Sequence, residues 1–502
     1  MCFSLFGFIF LASSVIQAEP NSNADARKQV EAYLQKLESR YGIAGQSVAI
    51  LVDGTMVDSV WRGYANLEFE IPVDAETVFP VYSIAKLFAN VTTMQLVEAD
   101  KIDLDATLDT YLPDVPPTWS KITVRQAMSH LSGLPDFYTT DHLLPEEEGL
   151  VLPSVFGKPL LSEPGHANRY NQTNFFLVRN IIERVTGRRY LDVVRERMIR
   201  NPGLKQTSFG SQNAVVSRRA SSYTGKAGRL RLNSGWDFPE YFFASAGLNT
   251  TAEDMAIWFK HLLDGRLIDR ATLEVMWRPV KRNDGSLSFF ANGWSFQRYE
   301  GITAVGHGGG GRNNVHHFRR EADGRSVTVI YLTNGGLKWY PVYDIVNIIG
   351  NYYLPGIQSS SMALKHDMFD AIESDRWDLA QARYRRFRGA ADTRGVDTEN
   401  TLNALGYDIL FMLDVKKALP VFELNLEMHP ESANAHDSLG DALIRSGDPK
   451  SAVTVLNRGL MLAKKQAAGS RMIQTLEAHL AEARKLLNPK STQAKTEQEK
   501  VP

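Results

Sequence analysis

Between residues 26 and 355, strand-like residues cluster at the two ends and leave a helical middle, and few folds can accommodate that order. Near the front, Ser47-Val48-Ala49-Ile50-Leu51-Val52 and Met56-Val57-Asp58-Ser59-Val60-Trp61 flank Asp53-Gly54. Two β-rich runs around Asp-Gly predict a hairpin. At the far end come Gly293-Trp294-Ser295-Phe296 and Ile302-Thr303-Ala304-Val305, and then Val315–Arg319 and Val327–Leu332 around Asp323-Gly324. The middle, from Leu104 to Asp264, carries helical patterning with long irregular connections, including a helix over Asn174–Val185 stopped by Thr186-Gly187. Amphipathic helices are expected at Ala26–Tyr41, with Val30, Tyr33, Leu34 and Leu37 on one face, and at Val342–Leu354. One antiparallel sheet drawn from both ends, flanked by helices and carrying a helical lobe, satisfies this order: an α/β (α+β) domain over 26–355. The groove between lobes is where a site is expected.

From residue 363 the strand signal stops. Leu405-Gly406-Tyr407 recurs as Leu439-Gly440-Asp441, Asp414 as Asp448, Ala418 as Ala452 and Phe422 as Leu456, each pair separated by the same interval. A period of about 34 residues with Leu-Gly in one helix and Ala in the next is the tetratricopeptide pattern. The helical repeats are placed at 363–488, with Phe369–Phe387 and Met472–Leu487 as degenerate flanking helices. So few units bury a core poorly, so the block is expected to lean on the preceding domain and to offer a surface to a protein partner. The polar residues 489–502 are read as a disordered tail.

Residues 1–18 read as a cleavable export signal. Phe3–Ile16 is apolar and too short to span a membrane, and Ala18 is the expected cut, although no Lys or Arg precedes the run. Cleavage would remove Cys2, the only cysteine, and leave a periplasmic or secreted protein without a thiol. A net charge of −1 on 502 residues gives no reason to expect nucleic acid or an anionic membrane as partner. No later segment is apolar enough to be a membrane span.

The residues with chemistry form three groups. Ser83-Ile84-Ala85-Lys86 opens a predicted helix, and no other serine has a lysine three residues on. That spacing puts both side chains on one face, beside N–H groups that lack intrahelical partners. A serine needs an adjacent base, and a partly desolvated lysine can be one. Tyr170-Asn171-Gln172 lies in a polar loop before a helix. His307-Gly308-Gly309-Gly310 ends a predicted strand, where glycines allow close backbone approach. His316 and His317 read as strand residues, and His130 as packed beside a turn. There is no His-Glu-x-x-His and no usable cysteine, so no metal or cofactor is assigned. The lack of a Gly-x-Ser-x-Gly elbow argues against an α/β-hydrolase.

These three motifs, in this order, resemble the serine β-lactamase-related family of class C β-lactamases, D-alanyl-D-alanine carboxypeptidases and related esterases. Ser129-His130-Leu131-Ser132-Gly133-Leu134, Ala244-Ser245-Ala246-Gly247-Leu248 and Gly293-Trp294 add to the resemblance, which spans roughly residues 30–354. It implies an acyl-enzyme on Ser83, with Lys86 and Tyr170 jointly moving the serine proton to the leaving group. It also implies an oxyanion between the N–H groups of Ser83 and Gly310. Gln172, His307, Gly308 and Gly309 would line the substrate, a small molecule or peptide. Two departures stand out. Gln172 occupies a position where the family has Asn, and His307-Gly308 stand where penicillin-recognising members often carry lysine and threonine. Both of the latter changes weaken carboxylate binding. The alternative expectation is a catalytically weak recognition module whose repeats dock a protein.

Overall fold

The computed structural model describes residues 23–138, 143–233, 237–336, 342–390, 393, 396–466 and 469–487. The expected export signal with Cys2, and the tail from 489, lie outside the described residues.

Eight antiparallel strands form the central sheet. The N-terminal hairpin Gly45–Val52/Thr55–Asn66 joins the C-terminal strands through Gly45–Val52, which pairs with Ser326–Thr333 from Gln46 opposite Thr333 to Val52 opposite Val327. Beyond them follow Asn313–Arg320, Ile302–Gly309, Trp294–Tyr299 and Phe290–Ala291. Strands from the two ends of the domain therefore sit side by side, which is why the sequence holds them apart. Side chains alternate faces along each strand, so one continuous apolar run feeds two cores. Val48, Ile50, Val329 and Tyr331 pack with Val30 and Leu34 of the helix Asn23–Tyr41 and with Ile345 and Ile349 of the helix Val342–Tyr353. Ala49, Leu51, Ile330 and Leu332 pack on the opposite face with Phe88, Trp258, Phe259 and Phe175. The helical middle thus shares one core with the sheet. Each such aliphatic or aromatic side chain contributes about 1.5–3 kcal/mol by leaving water.

Short strands that the sequence reading missed bring distant segments together. Leu248–Thr250 pairs with both Phe79–Pro80 and Ser208–Phe209. This carries the segment Ala244–Gly247 to the turn that bears Ser83. One expectation needs correcting: Ser83 does not begin the helix itself. It lies in a 3-10 turn, Tyr82–Ile84, and the α-helix runs Ala85–Glu98.

The C-terminal residues fold into successive helices, from Ser360–Glu373 to Ser470–Leu487. Asp414 and Asp448 cap the helices Val415–Met428 and Pro449–Lys465, accepting hydrogen bonds from the N–H groups of Lys417 and Ser451. Leu364, Met368, Leu402 and Leu405 belong to the same core as Tyr353 and Ile357. The front of the helical block is therefore built onto the outer face of the sheet domain, whereas its last helices close a smaller core around Leu456, Leu476 and Leu480.

Candidate active site

The turn bearing Ser83 is clamped on both sides. The Val81 N–H donates to the Leu248 carbonyl at 2.9 Å, and Asn313 Nδ2 donates to the Pro80 carbonyl at 2.8 Å. Tyr82 adopts φ = +50°, a left-handed conformation costly for a bulky residue and sustained only where surroundings over-determine it. The strand Ile302–Gly309 supplies that constraint. A Cβ on Gly309 would stand 2.0 Å from the Val81 carbonyl oxygen, and one on Gly310 would stand 2.5 Å from the Tyr82 ring. The sequence reading gave these glycines to an approaching substrate. In the structure the absent Cβ atoms of Gly309 and Gly310 first make room for the turn that bears Ser83.

Lys86, one turn into the site, is fully buried. Its Nζ donates to Gln172 Oε1 at 2.9 Å and to the Ser245 carbonyl at 3.0 Å. Its ammonium lies 5.0 Å from the centre of the Tyr170 ring and 5.2 Å from that of Phe175. Burial pushes its pKa down to about 7, opposed in part by the carboxylate of Asp136. Ser83, three residues earlier in the 3-10 turn, is half-buried. An amine whose neutral form is populated at neutral pH can act as a general base toward a hydroxyl brought within hydrogen-bond reach.

Tyr170 is 42% exposed, and its ring packs 4.3 Å from His130 and 6.0 Å from both His307 and Phe290. The structure therefore gathers Lys86, Tyr170, Gln172 and His307 around one point, with Gly309 and Gly310 behind the turn carrying Ser83. His307 is buried, and its Nδ1 donates to the Gly308 carbonyl at 2.6 Å. Burial and the neighbouring Lys86 charge push its pKa down to about 3, so it stands neutral. His316 and His317 are buried strand residues, both pushed down to about 4 by burial.

His130 packs as expected beside a turn, the one that follows the helix Val124–Met128, and it lies buried against the Tyr170 ring. Asn174 Nδ2, at 3.1 Å, and the Asn171 N–H, at 3.3 Å, donate to its Nδ1, which leaves the proton on Nε2. Burial, with the nearby Lys86 charge, holds it neutral. Sequence reasoning missed this support, together with Asp136 and the Ser245 carbonyl. None of them stands at a fixed spacing from Ser83, and only the tertiary pairing of Leu248–Thr250 with Phe79–Pro80 and the docking of 134–138 on 171–173 bring them in. Among the described residues no group of three His, Cys, Asp or Glu side chains could hold a metal ion. No described helix is long and apolar enough to cross a membrane.

The family model described as Beta-lactamase matches residues 28–348. The chain is 25% identical to the D-aminopeptidase of Gluconobacter oxydans (strain 621H), over 60% of this chain and 58% of that protein. It is also 25% identical to penicillin-binding protein 4 of Amycolatopsis lactamdurans, over 60% of this chain and 83% of that one. This chain thus spans less than two thirds of the D-aminopeptidase. Among solved structures, the octameric penicillin-binding protein homologue from Pyrococcus abyssi superposes with a TM-score of 0.57 at 22% identity, covering 68% of this chain and 81% of that chain. The D-amino acid amidase from Ochrobactrum anthropi SV3 gives 0.54 at 24%, covering 67% and 99%. At these identities the likeness is one of fold.

Proposed function

The chain belongs to the beta-lactamase family, and on that premise we propose that it is a serine hydrolase working through an acyl-Ser83 intermediate on an ester, an amide or a D-amino-acid peptide. Ser83 Oγ attacks the acyl carbonyl while neutral Lys86 takes its proton, with the oxyanion between the Ser83 and Gly310 N–H groups. Tyr170 passes a proton to the leaving group, and water releases the acyl chain. The observation that carries this reading is the buried Lys86 amine, bound only through neutral acceptors and depressed to about 7. The relatives named D-aminopeptidase and D-amino acid amidase favour amides of D-amino acids as donors. A neutral His307 offers no charge to a substrate carboxylate, which favours such donors over β-lactams.

Intact-mass spectrometry after exposure to a fluorophosphonate tests it. Wild type gains one adduct and Ser83→Ala gains none; equal labelling of the two removes Ser83 as nucleophile.

The second reading, a recognition module, is favoured by Gln172, whose amide oxygen is already occupied by Lys86. Turnover of a p-nitrophenyl ester that disappears in Tyr170→Phe rules it out. For residues 363–488 the proposed tetratricopeptide-like character rests on two equivalent contacts. A Cβ on Gly406 would stand 2.5 Å from the Phe422 ring, and one on Gly440 would stand 2.4 Å from Leu456. The two units thus cross helix on helix at the same repeat position, and they would be the surface for a protein partner. Export rests on the apolar run Phe3–Ile16, and a mature chain beginning at Glu19 is its test.

A further inference from the structure

Residues 134–138 are fastened to the tyrosine loop along their whole length. Asn171 Nδ2 donates to the Leu134 carbonyl at 3.1 Å, Thr173 Oγ1 to the Pro135 carbonyl at 2.8 Å, and the Phe137 N–H to Thr173 Oγ1 at 3.2 Å. At the centre of this seam is Asp136. Its Oδ1 accepts from the N–H groups of Tyr138 and Gln172, both at 3.1 Å. Gln172 in turn gives its side-chain oxygen to Lys86 Nζ at 2.9 Å. A two-step chain thus runs from the carboxylate through the Gln172 backbone and side chain to the buried amine.

We propose that Asp136 is the positioning residue for Lys86. Its carboxylate fixes Gln172, and with it the direction of the amine, and supplies the negative charge that faces the ammonium across the seam. This deepens the serine-hydrolase reading and rests on it for its catalytic meaning. The geometry also explains a Gln at position 172. One side chain must reach Lys86 while its own N–H is held back by Asp136.

The other groups facing Lys86 are the His130 and His307 imidazoles, both held neutral by burial, the Tyr170 and Phe175 rings, and the Ser245 carbonyl. Asp136 therefore stands as the negative charge in this set. It is largely buried, and burial raises its pKa above the usual carboxylate value, against the opposing pull of the Tyr138 and Gln172 N–H groups and of Lys86. The Asp136 carboxylate raises the Lys86 pKa against the burial that lowers it, and an opposite charge close by moves an amine by about one pH unit or more.

The test needs no substrate. In protein labelled at lysine 13Cε, the resonance lost in Lys86→Met reports the titration of Lys86 by NMR. Asp136→Asn keeps an acceptor oxygen and removes the charge, so the Lys86 midpoint should fall by about one pH unit. Asp136→Glu should return it toward wild type. Should the amide variant fail to fold, Asp136→Ser carries the same reading. A folded Asp136→Asn or Asp136→Ser protein whose Lys86 midpoint is unmoved overturns the proposal. Acylation by p-nitrophenyl acetate, followed against pH, gives the second readout: the acid limb should move down with the midpoint. Absence of acylation in wild type at every pH would count against the hydrolase reading alone, because the NMR midpoint is read independently.

Discussion

Lys86→Met should slow acylation of Ser83 by about 1,000-fold or more, measured as the pre-steady-state release of p-nitrophenol from an activated ester. The substitution keeps the length and bulk of a fully buried side chain and removes the base together with its hydrogen bonds to Gln172 and the Ser245 carbonyl. In wild type the same rate should follow the neutral fraction of Lys86. With a pKa pushed down to about 7, the rate falls tenfold per pH unit below that value and levels above it. A wild-type profile flat from pH 5 to 8 would remove Lys86 as the base. The sign of the linked stability effect follows from the same shift. The unfolded chain takes up a proton on Lys86 as pH falls through about 10.4, whereas the folded chain does so only near 7. Stability is therefore lost across that window as pH falls, by an amount on the order of 4 kcal/mol, and the loss is complete below 7. Urea-unfolding free energies should show wild type losing ground to Lys86→Met as pH is lowered from 10 to 7. Parallel curves for the two proteins would mean that Lys86 is not desolvated.

How far the sequence could be read depends on whether a feature is local. The hairpin at Asp53-Gly54 and the helix stop at Gly187 are each set by residues within a few positions, and each is visible in the chain, whereas Asp414 and Asp448, seen there only as a repeat pair, cap their helices in the structure. Ser83, Lys86, Tyr170, Gln172 and His307 were singled out because they sit in three ordered motifs, and the structure brings the last four around one point. The turn before the helix was not legible. Nothing local to Tyr82 foretells a positive φ, which is imposed by Gly309 and Gly310 from a strand more than two hundred residues later. Asp136, and the hydrogen bonds that tie His130 to the tyrosine loop, escaped for the same reason. Their partners, Gln172, Asn171 and Asn174, lie on another segment, and a lone carboxylate or imidazole in a loop carries no periodicity. The short strand Leu248–Thr250 escaped because three residues cannot display alternation, yet it delivers the Ser245 carbonyl to Lys86.

Gly309→Ala should cost about 100-fold in Ser83 acylation, although Gly309 bears no side chain and performs no chemistry. Its new Cβ would fall 2.0 Å from the Val81 oxygen and 3.0 Å from the Val81 carbonyl carbon, both of them backbone atoms that no rotamer change can move aside. The turn cannot simply retreat. The Val81 N–H is bound to the Leu248 carbonyl, and the Val81 oxygen accepts from the Ile84 N–H at 3.2 Å. Either the strand end or the nucleophile turn must shift, and the fixed Lys86–Gln172–Ser245 cluster stays behind, so Ser83 moves relative to its base. Overpacking of this kind also costs about 1–3 kcal/mol of stability. The control is Gly301→Ala in the turn that leads into the same strand. There φ is +76° and nothing lies within 4 Å of the new Cβ, so only the backbone penalty of about 1 kcal/mol remains. Gly301→Ala should lose stability but acylate at the wild-type rate, and Gly309→Ala should lose both. A Gly309→Ala protein that acylates as fast as wild type would show that the Val81 contact does not set the position of Ser83.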